Sequence, residues 1–193
     1  MIALYAFVII SFFITIVDII IRFPLQSEMI DYNDIQAIVI NVLALLIQIF
    51  FFAYGFVNAI RGMLSPKRMG AVIVAFFAAT CITGTGNMVI YSNVQIVLWW
   101  IVLIIPNIVG AVATFAYFVL GKKSKIYSII IYLVAIWGMF RIIYSNYNLI
   151  VHANQYLSMN STVRLVLEIA IHCLVIYQTY VLWIKRQNAT DIS

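Results

Sequence analysis

The sequence predicts an all-α, polytopic integral membrane bundle of six transmembrane helices, with both termini on the cytoplasmic or equivalent side. Three observations carry that expectation. Hydrophobic residues fill 66% of the 193 positions and charged residues only 9%, whereas a water-soluble domain is about half apolar and about a quarter charged. The mean hydropathy is +1.11, so the chain has too little polar surface to cover a globule in water. The apolar residues also run in stretches of about 20, the length a helix needs to cross the hydrocarbon core of a bilayer. Lipid offers the backbone no hydrogen bonds, and runs of that length satisfy their own as helices.

Charges punctuate six such runs, at about residues 2–22, 36–60, 69–90, 95–120, 127–150 and 163–184. The first opens on Met1-Ile2-Ala3-Leu4, with no basic n-region and no small-x-small site before Arg22, so it reads as a retained anchor and not a signal peptide. The second follows Glu28, Asp31 and Asp34 and ends before Arg61. The third and fourth share a charge-free stretch from Met69 to Gly121 that is too long for one span, and Tyr91-Ser92-Asn93 supplies turn formers for a reversal. A break at Thr83-Gly84-Thr85-Gly86-Asn87 would instead make the third element re-entrant and leave five full spans. The fifth run follows Lys122, Lys123 and Lys125, and the sixth is closed by Lys185 and Arg186. Residues 1–186 therefore read as one transmembrane domain and residues 187–193 as a short polar tail.

The formal charge of +5 sets eleven Lys and Arg against six Asp and Glu. The positives occur singly or in short groups between apolar runs, which argues against a nucleic-acid surface and makes them topology signals. Arg61, Lys67 and Arg68, then Lys122, Lys123 and Lys125, then Lys185 and Arg186 belong on one side, and the acidic loop on the other. The Lys185-Arg186 pair alone is too short for strong recruitment of anionic lipid. The sequon Asn160-Ser161-Thr162 falls outside in this topology and Asn188-Ala189-Thr190 inside, a common motif that adds little.

Ionisable residues inside spans are costly and must be paired, hydrated or near an interface. Asp18, Arg141 and Glu168 all fall in the outer half of their spans, Asp18 on one face with Arg22, and Glu168 a turn from both Arg164 and His172. Asn41, Thr83, Thr85, Asn87, Tyr144, Asn146, Tyr147 and Asn148 repeat the outward bias. The candidate residues are thus Asp18, Asn41, Arg141, Tyr144, Glu168 and His172, forming either a ligand-binding vestibule or a structural network in which Arg141 pairs with Glu168 and Asp18 with Arg22. His172 reads first as a histidine hydrogen-bonded within the bundle. Its pairing with His152 for haem ligation lacks a distinctive spacing. Cys81 and Cys173 read as core thiols. Gly110-Ala111-Val112-Ala113 and Ala75, Ala78 and Ala79 are small residues suited to close helix contact. Pro106 is expected to kink the fourth span and expose a carbonyl near Asn107, and Trp99 and Trp100 suit an interfacial aromatic belt.

Motifs of zinc proteases, serine hydrolases and nucleotide-binding loops are absent from the sequence, so it points away from a soluble-type enzyme and names no catalytic residue, metal or cofactor. One arginine in span five is not a voltage sensor, and a single Thr-Gly-Thr-Gly segment is a faint echo of a channel filter. Two functions remain. The first is a non-catalytic accessory or assembly subunit of a larger membrane complex, its intramembrane charges fixing helix packing. The alternative is a small transport or ligand-binding protein with an outward-facing polar cavity for a polar or anionic solute. The expected partners are membrane lipids, other membrane subunits and a possible small solute.

Overall fold

The computed structural model describes the backbone of residues 2–26, 32–91, 100–145 and 159–190, and side chains within residues 2–17, 35–89, 101–144 and 165–185. All regular structure among them is helical. The elements are α1 (Ile2–Gln26), α2 (Tyr32–Ile60), α3 (Pro66–Tyr91), α4, α5 (Lys125–Ser145) and α6 (Met159–Thr190), with α4 built from a π-helical turn Trp100–Ile104, an α-helical Ile105–Thr114 and a second π-helical turn Phe115–Val119.

Each helix packs on the next in sequence, and α6 returns to α1, so the six form a closed ring. The middle of the ring is filled by one cluster to which every helix contributes, with Tyr5, Phe12, Phe52, Phe77, Tyr117 and Ile131 among its members. Outward, the helices present Leu43, Phe50, Val112, Leu133 and Phe140. Apolar residues on both faces are what a helix needs when its surroundings are hydrocarbon. Among the described residues five helices are long and apolar enough to cross a membrane, and the described apolar part of α1, Ile2–Val17, is shorter. The protein is an integral membrane protein. Helix α3 runs unbroken through Thr83 to Tyr91, so the break expected to make it re-entrant is absent.

The short connections are built by glycine. Gly62 takes φ 65° and Gly121 φ 69°, a region in which a side chain would be strained. After α2, the Met63 N–H reaches Asn58 O and the Gly62 N–H reaches Ala59 O, which is a Schellman ending. Arg68 locks this turn, its Nη1 donating to Asn58 Oδ1 and to Met63 O, both at 2.7 Å. After α4 the bond from the residue past the glycine is one residue wider, Lys122 N–H to Ala116 O, and Leu120 N–H reaches Phe115 O, because that end of the helix is π-helical.

The helices are held by apolar knobs in glycine notches. Cβ atoms added at Gly55, Gly70, Gly84, Gly86 and Gly110 would lie under 3.0 Å from Tyr5, Phe118, Leu103, Ile40 and Val134 respectively. In lipid, association draws on such packing and on hydrogen bonds, since hydrocarbon tails are as apolar as the side chains. Gly110, Ala113, Ala75 and Ala79 face inward as the small-residue reading expects, while Ala78 faces out. The Thr-Gly-Thr-Gly segment is part of the same scheme. The Thr83 hydroxyl donates within α3, to Ala79 O or Thr80 O, and its glycines receive Leu103 and Ile40.

The charge network expected to fix this packing is corrected. Among the described residues the packing rests on apolar contacts and glycine notches and not on a framework of salt bridges; Arg141 and Glu168 act on each other electrostatically across α5 and α6. The physical reason lies in the medium. Bringing two charges together in an apolar interior repays their desolvation only with excellent geometry, whereas a glycine notch carries no such cost.

Candidate functional site

Among the described residues, two regions gather polar or charged side chains. The first lies where α3, α5 and α6 meet. His172 is buried, with 5% exposure, and its Nδ1 donates to the Glu168 carbonyl oxygen at 2.7 Å. The i, i+4 spacing of these residues is used, but through the backbone of Glu168. This bond puts the proton on Nδ1 and leaves Nε2 as the lone-pair nitrogen. Nε2 faces α5 at Gly138, where a Cβ would lie 2.1 Å away, and the ring stands edge-on to Phe76 of α3 at 5.1 Å. Arg141, one turn beyond Gly138, acts electrostatically on both His172 and Glu168.

The fold thus brings Arg141, Glu168 and His172 together and leaves Asn41 and Tyr144 elsewhere. Asn41 sits on α2, which does not neighbour α5 in the ring, and its Nδ2 donates to Ala37 O at 2.7 Å on its own helix. Tyr144 is 75% exposed and stacks on Phe140. Asp18 and its expected partner Arg22 lie outside the described side chains, as do Asn87, Asn146, Tyr147, Asn148, His152 and Arg164. Cys81 is half-buried and Cys173 is exposed, so the latter is not a core thiol. Among the described residues no three His, Cys, Asp or Glu side chains are placed to hold a metal ion.

Beside this region, α4 shows how an opened helix is closed again. An α-helical bond to Val102 O would need the N–H of residue 106, and Pro106 has none. Trp137 Nε1 of α5 donates to that carbonyl at 2.8 Å. The next two carbonyls are met by Asn107 Nδ2 at Leu103 O, 2.7 Å, and by Cys81 Sγ at Ile104 O, 3.9 Å. Pro106 signalled the freed carbonyl in the sequence; Trp137 as its partner was not legible there.

The second region is a cleft of about 480 Å³ at the opposite end of the bundle, lined by Ile2, Ala3, Ala59, Gly62, Leu64, Met69, Val181 and Lys185. Its volume falls within the roughly 300–1,000 Å³ of small-molecule sites. The start of α1, the α2–α3 turn and the last turns of α6 converge here. Gly70 of α3 packs on Phe118 of α4, which brings the α4–α5 turn with Lys122, Lys123 and Lys125 to the same end. One helical turn deeper on three of the lining helices stand Tyr5, Gly55 and Gln178. Tyr5 and Gln178 are both 0% exposed. Gln178 Nε2 donates to the Tyr5 hydroxyl, and Gln178 Oε1 has no partner.

Sequence reasoning missed this region because its polar residues are few and lie far apart along the chain. Gln178, an amide well inside an apolar span, was the available signal. Compared with known protein families, with curated proteins and with solved structures, the chain matches none.

Proposed function

We propose that this chain is a membrane-embedded binding protein for an amphiphile of the bilayer, whose hydrocarbon part it takes into the cleft between α1, α2, α3 and α6. The single observation that carries the reading is the composition of that cleft: it is lined by seven apolar or glycine positions and one cation, Lys185. Such a lining suits a molecule that is mostly hydrocarbon with one polar end. Met69, 1% exposed, and the Tyr5 and Gln178 pair beneath close the cleft from the core. By the positive-inside rule this basic end faces the cytoplasm or its equivalent.

The test is retention of lipid. Purified in mild detergent and released into a native mass spectrometer, the wild type should carry amphiphile adducts. Ala59→Phe and Val181→Trp, which fill the cleft from two sides, should remove most of them while the protein stays folded by circular dichroism. Equal retention by both variants would overturn the reading.

A further inference from the structure

The cleft has one charged residue on its wall, and the end of the molecule around it is strongly biased. Among the described lining residues Lys185 is the one that carries a charge. Arg61 and Lys67 on the α2–α3 turn are exposed at the same end, and among the described residues no Asp or Glu stands there to neutralise them. Arg68 plays a different part, its guanidinium held by Asn58 Oδ1 and Met63 O. Lys185 is exposed, and its long stem lets an ammonium stay at the water boundary while the methylenes lie along the apolar wall. An amphiphile whose hydrocarbon enters the cleft therefore places its headgroup beside a cation and, among the described residues, within a field of further cations with no carboxylate near it.

We infer that the cleft selects an anionic, phosphate-bearing lipid, with Lys185 as the residue that distinguishes it from a zwitterionic one. This rests on the reading of the cleft as an amphiphile site. Lys185-Arg186 is a weak lipid signal by itself; the fold makes it a recognition element by setting Lys185 against an apolar cleft and the α2–α3 turn. A single ammonium discriminates by charge, which a zwitterionic headgroup largely cancels with its own cation.

The experiment uses the full chain in mixed micelles containing equal phosphatidylglycerol and phosphatidylcholine, with the adduct ratio read by native mass spectrometry. The wild type should favour phosphatidylglycerol several-fold. Lys185→Gln should bring the ratio near unity while total adducts persist, Lys185→Arg should keep the preference, and Lys123→Gln should keep it too, because it removes the same charge at the same end but outside the cleft. An unchanged ratio in Lys185→Gln, or an equal loss in Lys123→Gln, would overturn the inference and leave the amphiphile reading standing. Adducts unaffected by Ala59→Phe would instead sink the amphiphile reading itself. Displacement of phosphatidylglycerol by millimolar inorganic phosphate would also overturn the inference, since it would make Lys185 part of a soluble-anion site.

Discussion

The two sides of the ring handle buried polar groups differently. Where α3, α4, α5 and α6 meet, His172, Asn107, Thr114 and Trp137 each donate to a backbone carbonyl. Where α1 and α6 meet, the Tyr5 and Gln178 side chains depend on one another, and Gln178 Oε1 is left without a partner. His172, Asn107 and Thr114 bond a carbonyl one turn back on their own helix, so those three bonds survive small movements of the neighbouring helices, while Trp137 reaches from α5 to α4. The second arrangement exists only while two helices far apart in the chain keep their distance. The side whose bonds mostly close within single helices reads as scaffold; the side with the unpaired amide borders the cleft proposed as the amphiphile site.

Substitutions can break or sharpen this contrast. The largest effect should come from Gly138→Ala, because its Cβ would stand 2.1 Å from His172 Nε2 and the ring must leave its place. Overpacking of this kind costs about 1–3 kcal/mol, to be read as a lower thermal unfolding midpoint in detergent. His172→Ala in that background should recover part of the loss, since notch and knob form one contact. An unchanged midpoint in the single variant would remove the case for a rigid scaffold side.

A smaller loss, about 1 kcal/mol, is expected for Trp137→Phe, which keeps an aromatic ring but takes the donor from Val102 O. Amide hydrogen exchange should then rise around the first turns of α4, and exchange unchanged there would mean that another donor already satisfies the carbonyl. Smallest of all should be the double change Tyr5→Phe with Gln178→Leu. Removing both partners of a buried bond together with an unpaired acceptor is near neutral or slightly stabilising, and a loss above about 2 kcal/mol would show that the amide has a partner of its own. The same double variant should leave His172 protected, because the two sides share α6 but no polar contact.

The candidate site was legible only in part. Glu168 and His172 share a helix face by spacing alone, and Arg141 was recognisable as a charge at similar depth. That Glu168 meets His172 through its carbonyl, and that Gly138 makes room for the imidazole, depends on how closely α5 approaches α6. Asn41 and Tyr144 looked equivalent to Arg141 by depth, yet one bonds its own helix and the other faces outward, because depth along a span says nothing about rotation around it. Of the expected pairs, Arg141 and Glu168 meet electrostatically across α5 and α6, while Asp18 and Arg22 lie outside the described side chains.

By itself the sequence determined the solvent, the helical class and the grouping of basic segments between spans, because hydrocarbon forces the backbone to satisfy itself and charge density limits where a chain can enter lipid. Tertiary structure alone decided that the ring closes through α1 and α6, that glycines take the bulky side chains, and that Lys185 borders a cleft with Ile2 and Gly62. Those outcomes turn on rotation and close approach between helices, which a linear pattern of apolar residues on all faces leaves unspecified.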